Sequence, residues 1–294
     1  MEIVKRPKIK RKKNSLGKRI FICAVLIIPL LNFLVFTVYC NIGGIGLSMM
    51  KLEGIKESFV GFENYSRFFR VFKTESYDKI IGHSFMWLPV ILCVMLPLTL
   101  FLSFFLYKKV PLTSVSIVLL FLPNIIPAAV IVEFYRRLWD VGGGVVSPGL
   151  FAKMFSFVEG RLLNWLALEK YANAALWIYT VWFGFGVNSL LIWGAMSRIP
   201  PELVESAELD GATQFREFVS VTIPLIWPTL EIVLIIYLLS PFTLFSQPML
   251  LAENGMHGTM TIKLLAINEI KRPDPYYASA LNILIAIFTI PLSI

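Results

Sequence analysis

A chain of 294 residues that is 57% hydrophobic and only 16% charged, with a mean hydropathy of +0.73, is too apolar for a water-soluble domain. It reads as a polytopic membrane protein. The net charge of +8 sits in one place: residues 1–19 hold nine Lys or Arg and one Glu, and the rest of the chain balances at 18 of each sign. A basic tail before an apolar run is a topology signal, and nothing else in the chain forms a nucleic-acid surface.

The first apolar run, Ile20 to about Tyr39, can span a bilayer, exceeds the core of a signal peptide and is followed by no small-x-small cleavage pattern. It is expected to be a retained first span. Five further runs follow at about 82–106, 112–134, 173–193, 223–245 and 277–294, each long enough, or nearly so, to cross a hydrocarbon core of ~30 Å. The expected fold is therefore an all-α membrane protein with six transmembrane helices, a transmembrane domain over 20–294 behind a tail at 1–19. Prolines 29, 89, 97, 123, 127, 228 and 241 fall inside the runs. They fit kinked helices packed around a pathway, and plain bending equally. The last run reaches Ile294 without a polar stop, as expected of a chain whose natural C-terminus lies further on. Cys23, Cys40 and Cys93, odd in number and in or beside apolar runs, read as buried small side chains and not as disulfide or metal ligands.

Orientation follows from the basic tail, which predicts a cytoplasmic N-terminus. Lys108 and Lys109 then fall in a short cytoplasmic loop, while loops 40–81, 135–172 and 246–276 lie outside, with Tyr276 and Tyr277 in an interfacial aromatic belt. By parity the loop 194–222 faces the cytosol. Its residues are unusual for that place. Pro200 and Pro201 open a helix, since a first-turn proline forfeits no intrahelical bond. Glu202, Glu205 and Glu208 recur every third residue on one side, and Leu203 and Ala207 share another. Gly211 supplies the stop, and a second helix is expected from Thr213 to about Thr222, presenting Phe215, Phe218 and Val219. Residues 202–217 hold five acids against Arg216 alone. The inner leaflet is anionic and would repel such a helix. It reads as a docking element for a basic cleft on a cytosolic protein, or as a solvated connector.

The stretch "IPPELVESAELDGATQFREFVSVTIPLIWP", residues 199–228, resembles the EAA loop of permease subunits of binding-protein-dependent ABC importers. The family pattern is Glu-Ala-Ala, three residues, Gly, nine residues, then Ile-x-Leu-Pro. Glu205, Ser206 and Ala207 stand for the triplet, Gly211 for the glycine, and Val221, Ile223 and Pro224 for the closing group. Ser206, Val221 and Ile223 are mild departures. The Glu-Leu after the prolines, Asp210-Gly211-Ala212 and Pro228 are closer to the carbohydrate branch. "FVGFENYSRFF", residues 59–69, is similar to the family's first external loop, and "PFTLFSQPMLLAENGMHGTMT", 241–261, to the segment after the fifth span. There the family usually has Gly-Gly-Pro where this chain has Asn254-Gly255-Met256.

The resemblance implies the six-span type I importer permease core, in a prokaryotic cell membrane. It implies as partners a second permease subunit, two cytosolic ATPases, an extracellular or periplasmic solute-binding protein, membrane lipid and a carbohydrate solute. In this chain Glu202, Glu205 and Glu208 would offer carboxylates to the ATPase cleft, Leu203 and Ala207 would pack, and Gly211 would set the helix angle, with Ser206, Asp210 and Ala212 in the same coupling segment.

The chain has no Gly-x-x-x-x-Gly-Lys-Ser/Thr phosphate loop, no metal-ligand spacing and no nucleophile elbow. Gly142-Gly143-Gly144 lacks the following lysine and reads as an external loop. His83 and His257 read as interfacial, and the sequon at Asn64-Tyr65-Ser66 is too common a pattern to carry weight. No catalytic residue and no cofactor are expected here; ATP and Mg would be bound by the partner ATPases. Polar or aromatic residues within or near the spans are the candidates for solute contact: Glu133, Asn188, Glu231 and Asn282, with Trp182 and Phe242 as stacking surfaces. Helix-to-helix hydrogen bonding is the competing reading for the asparagines, and Glu133 also fits the external interface. Two other functions account for part of the sequence: an ion-coupled secondary transporter using Glu133 and Glu231, and a membrane scaffold recruiting a basic cytosolic protein.

Overall fold

The computed structural model describes residues 16–53, 56–72, 77–109, 113–143, 147–270 and 275–293. The basic residues up to 15, Gly144 and Ile294 lie outside these. In chain order the longer elements are helix α1 (Ile20–Ser48), an antiparallel hairpin of β1 (Met50–Glu53) and β2 (Lys56–Phe59), α2 (Glu63–Val71), α3 (Tyr77–Tyr107), α4 (Thr113–Ile125) and α5 (Ala128–Leu138). There follow α6 (Leu150–Met154), α7 (Glu169–Met196), α8 (Pro201–Leu209), α9 (Gln214–Leu238), α10 (Ser240–Thr243), α11 (Ser246–Leu251), α12 (Ile262–Ile270) and α13 (Pro275–Leu292).

Among the described residues five helices (α1, α3, α7, α9 and α13) are long and apolar enough to cross a membrane, and the bent pair α4–α5 makes a sixth if it counts as one span. Helix α7 is the centre of the bundle and packs on α3, α4 and α9. The contacts are close because the facing residues are small. A Cβ on Gly186 would collide with the Leu120 carbonyl oxygen on α4, and one on Gly184 with the Met95 side chain on α3. Around these crossings lies the main core, with Trp87, Tyr135, Leu176, Ile192, Met196, Ile226, Val233 and Tyr237 almost fully buried. A second, smaller core joins α12 and α13 through Tyr77, Phe242, Leu265, Tyr277 and Leu281.

Prolines shape the long helices in two ways. In α3 and α9 the chain stays helical but widens to π-type turns at Ile91–Met95 and Phe218–Thr222, just before Pro97 and Pro224. A proline lacks the N–H that the preceding turn needs, and a widened turn absorbs that loss without a break. The helix expected at 213–222 is thus the first part of α9, continuous with the fifth span. At Pro127 the outcome differs. Pro127 is extended (φ −53°, ψ 137°), and α5 leaves α4 at 102°. The single span expected at 112–134, with proline kinks, is therefore two helices. Similarly, the run expected at 223–245 stops as a helix at Leu238, and Phe242 belongs to the separate short α10.

One smaller expectation is corrected. Cys23, Cys40 and Cys93 are free but exposed on the outer faces of α1 and α3, not buried. Along α1 no residue of the spanning window is buried within the chain, so its apolar surface is left for lipid or another subunit. Asn64 is a structural pin. It is buried and donates to the carbonyls of Ser48 (2.9 Å) and Met50 (2.7 Å), while Tyr65 bonds the Ser48 hydroxyl at 2.6 Å. That explains the Asn-Tyr pair of the external-loop motif: it fastens the hairpin to the end of α1.

Candidate functional site

The acidic segment forms a knuckle at one end of the bundle. Pro200 is extended and Pro201 starts α8, with Glu202 in its first turn, where a carboxylate favours the helix dipole. The helix ends in a Schellman arrangement: the Ala212 N–H donates to Ala207 O (2.9 Å) and the Gly211 N–H to Glu208 O (3.0 Å). Closing both bonds requires a left-handed residue between them, and Gly211 has φ +75°. Thr213 then caps α9, its hydroxyl accepting from the Arg216 N–H at 3.3 Å.

Along α8 the inward residues are Val204 and Ala207, both half-buried, with Val204 against the main core. The pairing of Leu203 with Ala207 is corrected here: Leu203 points out, and with Leu209 and Phe215 it leaves three large apolar side chains in the open, 45%, 89% and 76% exposed. Glu202, Glu205, Ser206 and Asp210 are exposed beside them, and among the described residues none of these carboxylates has an ion pair. Unpaired carboxylates interleaved with bare Leu and Phe make a surface suited to a protein partner with cationic and apolar groups.

Glu208 differs from its neighbours. It is reached at 3.5 Å by Lys108 Nζ from the end of α3. The same ammonium group makes a 2.7 Å bond to Glu217 Oε2, and Glu217 is 1% exposed. Beneath them the rings of Phe104 and Phe218 lie 4.8 Å apart. Neither Lys108 nor Glu217 stood out as a pair in the sequence. The available signal was position: the buried residues of α9 run 217, 222, 226, 230, 233 and 237, so Glu217 heads the inward stripe. A carboxylate there needs a countercharge. The five-residue step from 217 to 222 comes from the widened turn, and it hides the stripe from a 3.6-residue reading.

The six residues expected near a solute path are not gathered in one place. Glu133 lies on α5, exposed and paired with Arg137 at 3.0 Å; it is not a buried intramembrane carboxylate. With Arg136, Arg137, Asp140, Asn164 and His257 it lines an open hollow of about 300 Å³. Glu133, Arg137 and Asp140 are engaged with one another, and Arg136 and Asn164 with backbone, Arg136 through the Leu250 carbonyl. Trp182 is half-buried and stacks on Tyr135 at 6.3 Å. Phe242 is buried between Phe85 and Phe288 at the edge of a wholly apolar hollow of about 360 Å³. Asn282 on α13 accepts from Lys263 Nζ at 2.8 Å; burial lowers the Lys263 ammonium pKa from its ordinary value. Glu231 is exposed on the outer side of α9.

Asn188 donates to the Tyr237 hydroxyl at 3.0 Å, and that hydroxyl lies 3.4 Å from Thr99, so three helices meet through one polar string. Ser103 adds a bond to the Ser189 carbonyl at 2.8 Å. Interhelical bonds of this kind average ~0.6 kcal/mol and reach ~1.7. Asn188→Leu is therefore expected to lower the thermal stability of the purified chain by about that amount, with little loss of membrane yield. Unchanged melting in the variant would remove the packing role.

The segment after the fifth span, where the sequence has Asn254-Gly255-Met256, is a tight left-handed knuckle. Glu253, Asn254, Gly255, His257 and Gly258 all have positive φ, and a Cβ on Gly255 would crowd Met260 and Leu264 at 3.0 Å.

No protein-family model matches the chain. Among curated proteins, it is 27% identical over 287 residues to the arabinooligosaccharides transport system permease protein AraP of Halalkalibacterium halodurans, covering 92% of this chain and 84% of that one. It is 28% identical over 291 residues to the trehalose/maltose transport system permease protein MalF of Thermococcus litoralis, covering 98% and 94%. Among solved structures, a chain of a bacterial ABC transporter involved in the import of the acidic polysaccharide alginate superposes with a TM-score of 0.77. That match has 20% identity and covers 95% of this chain and 94% of that chain. The chain therefore has the fold of that ABC importer subunit over nearly its whole length, and it is similar along nearly all of that length to sugar-transport permease proteins.

Proposed function

We propose that the chain forms half of the transmembrane path by which a carbohydrate enters a prokaryotic cell, and that its acidic knuckle receives the ATPase that drives the cycle. The observation that carries this is the surface of α8. A membrane-embedded bundle exposes a short helix whose outer face combines unpaired carboxylates with Leu203, Leu209 and Phe215. Anionic lipid would repel that face, and water alone would not favour the apolar groups. A cytosolic protein with a basic, apolar-walled cleft satisfies both. The positive-inside rule puts the N-terminus, Lys108 and the knuckle on the cytoplasmic side, and the α5 hollow on the side where a solute-binding protein delivers its cargo. The carbohydrate class rests on the sugar permeases to which the chain is similar.

In this reading the chain has no catalytic group of its own; ATP and Mg bind to the partner ATPases. Their closure would push α8, and the continuous α9 would carry the displacement into the bundle and switch access from one side to the other. The exposed Glu231 on α9 would face the second permease subunit or the path between the two, since a lipid-facing carboxylate is costly. Glu231→Leu is expected to leave yield and ATPase association intact and to lower uptake; normal uptake would take Glu231 out of the path.

An ion-coupled transporter needs buried carboxylates, and Glu133 is already neutralised by Arg137 on an exposed face. Purification from the native membrane decides between the classes. The proposed function predicts that an ATPase and a second permease copurify with the chain and that uptake into vesicles stops without internal ATP. A homodimer that transports alone on an ion gradient would contradict it.

A further inference from the structure

We propose that Lys108 is a positioning residue, a latch that makes the end of the second span and the acidic knuckle move as one body. The proposal rests on the knuckle being the ATPase-docking element. Lys108 caps the end of α3, directly after Tyr107, and Lys109 behind it has a left-handed backbone (φ +51°), so the helix cannot continue. Its ammonium group bonds the buried Glu217 at 2.7 Å and reaches Glu208 at 3.5 Å. These two carboxylates stand on either side of Gly211: Glu208 in the last turn of α8 and Glu217 in the first turns of α9. One cation thus bridges both arms of the knuckle and a helix more than a hundred residues earlier in the chain.

Geometry gives the latch its stiffness. Glu217 is buried, its Oε1 has no hydrogen-bond partner among the described residues, and Lys108 is its only ion-pair partner among them. Removing Lys108 therefore leaves a buried charge without its partner. The Phe104–Phe218 contact supports the same junction, but it is an apolar ring contact with no charge or hydrogen bond to pin it. Without the latch, a push on α8 would be taken up by rotation about Gly211 and sliding of the two rings, and α3 would be left behind. With it, displacement of α8 reaches α3 directly as well as through α9. Lys109, adjacent in sequence, is exposed and makes no ion pair among the described residues, so the role belongs to one lysine of the pair.

The test uses spin labels at Phe105 and Val219, both exposed and each next to a ring of the Phe104–Phe218 contact, in a background with Cys23, Cys40 and Cys93 replaced. Dipolar broadening between them is read in the chain alone and in the complex with its partner permease and ATPases, without nucleotide and after trapping with ATP and vanadate. The latch predicts strong broadening that stays the same in both nucleotide states, its loss or nucleotide dependence in Lys108→Met, and restoration in Lys108→Arg. Because Lys108→Met leaves Glu217 without its partner and could misfold, the paired variant Lys108→Met with Glu217→Gln removes both charges. It is expected to fold, to keep hydrolysing ATP in the complex, and still to lose the fixed separation. Parental broadening that changes with nucleotide, or a paired variant as rigid as the parent, would overturn the latch. Absence of any ATPase from the purified parent would instead overturn the docking reading, and the labels in the chain alone would still report whether Lys108 fixes the junction.

Discussion

Gly211→Val is expected to insert and fold like the parent chain, yet to lose ATPase copurification and most of its uptake. The backbone at 211 is left-handed (φ +75°), and it must be, because the two Schellman bonds that end α8 close only around such a residue. A side chain there costs roughly 1–2 kcal/mol, and a β-branched one belongs at the upper end. Among the described residues, the two chain neighbours aside, nothing lies within 4 Å of the position a Cβ would occupy, so no clash adds to that cost and the bundle is untouched. The strain is relieved by opening the turn, which swings α8 away from the angle set by Val204 and Ala207. Since ~1.4 kcal/mol is a factor of ten in an equilibrium, a loss of docking of about tenfold or more is expected. Ala212→Ser, at a neighbouring half-buried site of ordinary backbone, should be mild. Membrane yield, copurified ATPase and uptake measured together give the answer; full docking and uptake by Gly211→Val would mean that α8 is aimed in some other way.

Glu205→Lys should have a comparable effect by a different route. Glu205 is exposed, has no ion-pair partner among the described residues and stands between Leu203 and Leu209 on the open face of α8. Changing it costs the isolated chain almost nothing, as for most surface substitutions. Against a basic cleft the lysine replaces attraction by repulsion, and breaking one partner of a pair buried at such an interface costs ~3–5 kcal/mol. The expected result is normal insertion with copurified ATPase reduced by two orders of magnitude or more, by the tenfold per ~1.4 kcal/mol relation. Glu208→Lys is a useful contrast, because it would also bring a cation against Lys108. A Glu205→Lys chain that binds its ATPases and transports normally would show that the acidic face is not where they dock.

The sequence carried the broad plan because the signals that fix it are local. Apolar runs of bilayer length, the proline pair at 200 and 201, and a glycine where the acidic helix must stop each point to one structure. What it hid was set by tertiary context. Both Pro127 and Pro97 interrupt apolar runs. One bends the chain by 102° and the other is absorbed in a widened turn, a difference that the residue type alone does not set. At the knuckle, 3.6-residue spacing put Leu203 with Ala207, whereas packing turns Val204 inward and leaves Leu203 bare. The Lys108–Glu217 pair joins residues 109 positions apart, and no periodicity reveals such a contact. Asn188 was legible as a polar residue within a span but not as the donor to Tyr237. The polar candidates scatter over separate hollows and faces, and in the proposed function one chain supplies only part of a path that a second subunit completes.

The claim that the acidic knuckle is the ATPase seat can be tested at a single side chain. Leu209, 89% exposed on the knuckle and without a packing role inside the chain, can be replaced by a photoreactive phenylalanine analogue without disturbing the fold. Irradiation of native membranes carrying this variant is predicted to yield one main adduct, with the ATPase subunit, and the adduct should vanish when Gly211→Val is added. Cross-linking to lipid alone, or to no protein, with uptake still driven by ATP, would contradict the account.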